Sequence, residues 1–150
     1  MPCIWGTHNK SQVFIPIAIL PVPSGATAPQ VPLTSNIFIF NALMDTGAQS
    51  TCISPRVAAT VGLQPLGRMQ IFGVSGAQYH NYYLFYVGFP LGALSHGAQQ
   101  YQGRVDVFHD AIQGAELAIG QGGFDVLLGM DVIGMGSLAV EGSGTYSFSF

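Results

Sequence analysis

Apolar residues in this chain fall into short runs broken by glycine and proline, with few stretches at helical spacing. Val13 to Leu20 reads as a strand, and Pro16 places it at an edge or a bulge. Pro21 to Ser35, with four prolines from Pro21 to Pro32, reads as a loop. Ile37 to Met44 is apolar nearly throughout, as in a strand buried on both faces. Ser54-Pro55 opens a short helix: Ser54 suits the N-cap, Pro55 the first helical position, and Gly62 the end. Arg68 to Val74 and Gln78 to Val87 form a hairpin joined at Ser75-Gly76. A loop over Gly88 to Gly103 follows, then short strands at Arg104 to Phe108 and Glu116 to Ile119, separated by a turn near Gly114. Gly120 to Gly123 is a turn, Phe124 to Leu128 a buried strand, and Asp131 to Met135 a helical turn that Asp131 caps. Ser137 to Val140 and Thr145 to Phe150 pair across Gly142-Ser143-Gly144, with Tyr146, Phe148 and Phe150 on one face of the last strand. Residues 1–12 read as an extended arm. Many short strands between turn signals make an all-β fold, and 150 residues make one domain, residues 1–150.

Composition adds a constraint. The chain is 49% hydrophobic and 7% charged, against about 25% charged in an ordinary soluble domain. So few charges point to a sizeable buried interface, and a sticky or partner-bound surface fits as well. A net charge of −3, with Lys10, Arg56, Arg68 and Arg104 scattered, gives no surface for tracking phosphates and excludes nucleic acid as a partner. Cys3 and Cys52 make neither a disulfide framework nor metal spacing; free thiols imply a reducing, cytoplasmic setting. His8, His80, His96 and His109 are too far apart to suggest a metal site, and no cofactor is expected. No run is long enough to span a membrane, and Val13 to Val22 carries two prolines and lacks a basic leader.

The candidate chemistry sits at the end of the second strand. Asp45-Thr46-Gly47 delivers a carboxylate into a glycine-tightened turn, and no other Asp here precedes Thr-Gly or Ser-Gly. A two-carboxylate site therefore needs a second copy of the chain. Two carboxylates a few ångströms apart cannot both ionise cheaply, so they share one proton. One then acts as base toward a water and the other as acid toward a peptide carbonyl. Their apparent pKa values belong to the pair. The tripeptide alone is also compatible with a simple Asx turn.

Context favours the catalytic reading. The order is an apolar strand, Asp45-Thr46-Gly47-Ala48, a short helix, a glycine-tipped hairpin, then Leu127-Leu128-Gly129. This order resembles the retropepsin-like aspartic proteases, single-domain homodimers related to the pepsins. The resemblance implies a closed acid-protease β-barrel with one short helix, active as a homodimer on peptide or protein substrates. It implies Asp45 as the catalytic acid, supported by Thr46, Gly47 and Ala48, with Thr46 bridging the protomers. It implies a substrate-covering flap at Phe72, Gly73, Val74, Ser75, Gly76 and Ala77, and a core motif Leu127, Leu128 and Gly129 beneath the catalytic turn. It also implies interleaved terminal strands, with Tyr146 to Phe150 holding the dimer. Gln49 stands where many viral members carry an acid, and Met130 where many carry an arginine. The wording Leu128-Gly129-Met130-Asp131 looks more like cellular and bacterial members.

Two other motifs fall away. Gly134-Met135-Gly136-Ser137-Leu138-Ala139 matches a dinucleotide fingerprint, but Gly142 and Gly144 forbid the helix it needs. Gly73-Val74-Ser75-Gly76-Ala77 lacks the last glycine of a nucleophile elbow. Two functions remain: an aspartic endopeptidase, or a non-catalytic peptide-binding or assembly module on the same fold, favoured by the missing acid at Gln49.

Overall fold

The computed structural model describes residues 1–23, 37–94, 99–118 and 122–150. Strand β1 (Cys3–Thr7) leads to β2 (Phe14–Pro21), β3 (Ile37–Met44) and β4 (Cys52–Ile53), then helix α1 (Pro55–Val61). A long hairpin follows, β5 (Gly67–Gly73) with β6 (Gly76–Pro90), then β7 (Gln100–Tyr101), β8 (Val105–Val107) and β9 (Ile112–Glu116). The chain closes with β10 (Val126–Leu128), helix α2 (Met130–Ile133), β11 (Ser137–Val140) and β12 (Thr145–Ser149).

Strands β10, β4, β9, β6, β2 and β3 hydrogen-bond in that order, and the parallel pair β10–β3 joins the two ends. The sheet is therefore a closed six-stranded barrel, and the fold is all-β with the architecture expected. Its interior holds alternate residues of each strand: Ile15, Ile17 and Ile19, then Phe40, Ala42 and Met44, then Val126 and Leu128. Helix α1 closes the interior with Val57 and Ala58. The Ser54 hydroxyl accepts the Val57 amide at 3.3 Å, and Gly62 ends the helix in the left-handed region at φ 77°. Pro16 lies in the half of β2 that pairs with β3 alone, which leaves it beside a free edge.

Several elements differ from the sequence reading. The N-terminal arm contains β1, which pairs along its whole length with β12. Gly114 lies inside β9 rather than in a turn. A Cβ there would stand 2.5 Å from the Phe85 ring and 3.0 Å from the Thr51 carbonyl oxygen, so close packing demands glycine. The strand expected at Glu116 accordingly ends there, and Ile119 lies outside the described residues. Most of the Pro21–Ser35 loop also lies outside them, as do residues 95–98 and Gly120–Gln121. Ile37–Met44 is not buried on both faces: Asn41 is exposed and Leu43 half-buried. The hairpin turn is Val74-Ser75, since Gly73 pairs with Gly76.

The terminal strands form a second sheet in the order β1-β12-β11. Tyr146 and Phe148 point into the protomer's own core, and Phe89 lies 5.7 Å from the Phe148 ring and 4.4 Å from that of Phe150. Both edges of β12 are taken by strands of its own chain. Any strand exchanged with a second copy would have to meet an outer edge of β1 or β11.

Candidate active site

Asp45 leaves the end of β3 and is half-buried; Thr46 and Gly47 are exposed. One carboxylate oxygen, Oδ1, accepts the Gly47 amide at 2.8 Å, and the Ala48 amide donates to the Asp45 carbonyl at 3.2 Å. This is the Asx turn compatible with the tripeptide. It fixes the carboxylate's direction and leaves Oδ2 without a hydrogen bond among the described residues. The Thr46 hydroxyl likewise has no partner among them.

The turn is laced to the segment that ends β10. The Asp45 amide donates to the Leu128 carbonyl at 2.9 Å, the Met130 amide to Ala48 at 2.8 Å, and the Asp131 amide to Gln49 at 3.1 Å. Gly129 is required where it stands: a Cβ would come within 2.6 Å of the Ser50 backbone. Leu128 is fully buried below, and Leu127 is half-buried on the opposite face.

Asp131, expected to cap the helical turn, does something else. Gly129 occupies the N-cap of α2 without a side-chain bond. The Asp131 carboxylate instead accepts the Thr51 amide at 2.9 Å on Oδ2 and the Thr51 hydroxyl at 2.7 Å on Oδ1. That hydroxyl in turn accepts the Gly129 amide at 3.1 Å. Thr51 is fully buried. Sequence reading missed this contact, because the two residues lie 80 positions apart.

Register defines the wall beside the turn. Cross-strand partners share a face. Phe14 pairs with Leu43, Leu43 with Leu127, Leu127 with Cys52, Cys52 with Ala115, and Ala115 with Tyr82. This row crosses the outer face of the barrel, and continued alternation along β3 puts Asp45 on the face of Leu43. The row carries no charge. Burial, and then the nearby Asp131 carboxylate, push the Cys52 thiol up to about 11, so it stays protonated and inert. Beyond it, Arg56 forms a two-pronged ion pair with Asp125 through Nε at 3.0 Å and through Nη2. The Arg56 guanidinium holds the Asp125 carboxyl below its usual value. The Ser54 amide and hydroxyl also bond Asp125, tying α1 to the strand entering the site.

The hairpin tip stands apart. Phe72, Gly73, Val74, Ser75, Gly76 and Ala77 are all exposed, and among the described residues β5 pairs with no strand but β6. Phe72 is 78% exposed, so this apolar tip has no cover among the described residues. Gly76 takes φ 101°, a conformation that suits glycine at the turn. The hairpin grows from Tyr82, in the same row as Leu127 and Leu43. Among the described residues no three His, Cys, Asp or Glu side chains gather to hold a metal ion. No helix among them is long and apolar enough to cross a membrane.

No protein-family model matches the sequence, and no curated protein matches it. Its backbone is similar to the crystal structure of a retropepsin-like aspartic protease from Rickettsia conorii, with a TM-score of 0.58 at 13% identity. The alignment covers 98% of this chain and 89% of the other. The fold is retropepsin-like. At that identity the likeness speaks for the fold, and the chemistry rests on the residues at Asp45.

Proposed function

We propose that the protein is a homodimeric aspartic endopeptidase in which Asp45 of two protomers forms the catalytic dyad. The observation that carries the reading is the Asp45 turn itself. Its carboxylate is aimed by the Gly47 amide, one oxygen is free, and the flanking backbone is tied to Leu128, Met130 and Asp131. A second copy supplies the missing carboxylate. The pair then holds one proton and a water between them. The unprotonated member takes a proton from that water as it attacks the peptide carbonyl, and the protonated member donates to the carbonyl oxygen. Collapse of the tetrahedral species breaks the C–N bond, and the amine leaves with a proton from the dyad.

The remaining elements take matching roles. The free Thr46 hydroxyl reaches the partner protomer. The uncharged row Phe14, Leu43, Leu127 and Cys52 receives apolar side chains of an extended peptide, and the tip Phe72 to Ala77 closes over it. The wording Leu128-Gly129-Met130-Asp131 and the neutral Gln49 support a reading closer to cellular and bacterial members of the fold than to viral ones. Two free thiols fit a reducing, cytoplasmic setting. The second reading, a peptide-binding or assembly module without catalysis, is favoured by Gln49 and by the low charge of the chain. A proteome-derived peptide library, digested from acidic to neutral pH, separates the two. Cleavage between bulky apolar residues by the native chain and none by Asp45→Asn supports the protease. Equal cleavage by both ends that reading, and no cleavage by either, with dimers intact, favours the module.

A further inference from the structure

We propose that Asp131 is a positioning residue for this reaction, holding the catalytic turn through Thr51; the inference rests on the Asp45 dyad reading. The turn from Asp45 to Thr51 has exposed residues at Thr46, Gly47, Gln49 and Ser50, and so has little packing of its own. It is held at its two ends. At the first, the Asp45 amide bonds the Leu128 carbonyl, a backbone contact that most side chains would permit. The second end depends on one side chain. Asp131 accepts both the amide and the hydroxyl of Thr51, and the hydroxyl accepts from Gly129.

Each carboxylate oxygen takes one of the two bonds. An amide in its place would offer one oxygen and turn its NH2 group toward Thr51 at the other. The Thr51 end of the clamp is fully buried, while Asp131 is half-buried. No cation pairs with Asp131 among the described residues, so these hydrogen bonds and its own exposure satisfy its charge. The same clamp fixes the Met130 and Asp131 amides that grip Ala48 and Gln49. A dyad needs each carboxylate placed within a fraction of an ångström of its twin, and a misplacement of about 1 Å can cost about a hundredfold in rate. Asp131 acts through Thr51 and does not itself reach the reacting atoms.

The test compares kcat and KM on one peptide that the native chain cuts, per folded dimer counted by sedimentation. Asp131→Asn and Thr51→Val are expected to lower kcat by about 10- to 100-fold with KM within about threefold. Thr51→Ser keeps the hydroxyl and should stay within about threefold of the native kcat. The double variant should be no worse than the poorer single, because the two residues act as one unit. A native kcat per folded dimer in Asp131→Asn overturns the positioning role alone, as does equal damage from Thr51→Ser and Thr51→Val. A native chain that cuts no peptide overturns the dyad reading and the positioning role with it.

Discussion

The Asp45 turn and the hairpin tip both carry exposed residues and glycine, yet they are held in opposite ways. The segment Asp45–Thr51 is tied at Asp45, Ala48, Gln49 and Thr51 to Leu128, Met130 and Asp131. The tip at Gly73–Gly76 has only its own ladder, and a Cβ added at Gly73 would meet nothing within 4 Å. At Gly129 the same atom would collide with the Ser50 backbone. Glycine thus serves packing in the first region and turn geometry in the second. The difference fits the two tasks proposed for these regions: a carboxylate must stay in one place, while a cover must let a peptide in and out.

The comparison can be broken most sharply at Asp45. Asp45→Asn keeps an oxygen for the Gly47 amide but removes the acid–base pair. Peptide cleavage should fall by about a thousandfold or more, with an unchanged circular dichroism spectrum and dimer mass. Next come the two glycines. Gly129→Ala must shift backbone and should cost about 1–3 kcal/mol, lowering Tm by roughly 2–12 °C. Gly73→Ala should stay within about 0.5 kcal/mol. Equal melting of the two variants would remove the contrast between laced and free segments.

At the tip itself, Val74→Ala should leave Tm unchanged and raise KM roughly tenfold, from two lost methyl groups at about 0.8 kcal/mol each. An unaltered KM would show that the tip does not touch substrate. The smallest effect concerns the foundation of the turn, where Arg56 grips Asp125. Because Arg56 lowers the Asp125 pKa, the pair stabilises the fold above the ordinary aspartate value near 4 and loses that contribution as pH falls through the folded-state value. Arg56 is half exposed, so Arg56→Met should cost less than about 1 kcal/mol at pH 7. Urea midpoints of the two proteins should converge toward pH 3; a gap independent of pH would assign the stabilisation to Arg56 packing over Phe40 instead.

Local chemistry made much of this legible in advance. Ser54 acts through its hydroxyl on the helix's first turn, and Pro55 and Gly62 through their own backbone, so helix α1 could be read residue by residue. The strand Ile37–Met44 and the hairpin likewise follow from runs and turn residues. Asp45 stood out because its neighbours dictate its turn. What escaped was decided by distant partners. Gly114 looked like a turn until Phe85 and Thr51 were placed against it. Residues 1–12 have no strand pattern strong enough to show without β12 beside them. The alternation of Tyr146, Phe148 and Phe150 correctly gave one apolar face, but nothing local said that its cover is Phe89 of the same chain. Asp131 has Thr51 as its partner, and no spacing rule connects them.

The pairing of β1 with β12 also brings the two ends of the sequence together, and the Phe150 amide donates to the Pro2 carbonyl. A peptide linker of a few residues could therefore join them into a ring, and new ends could be opened at the exposed Gln64–Leu66 segment after α1. Such a permuted chain would carry its termini after α1 and turn the β1–β12 pair into one continuous hairpin.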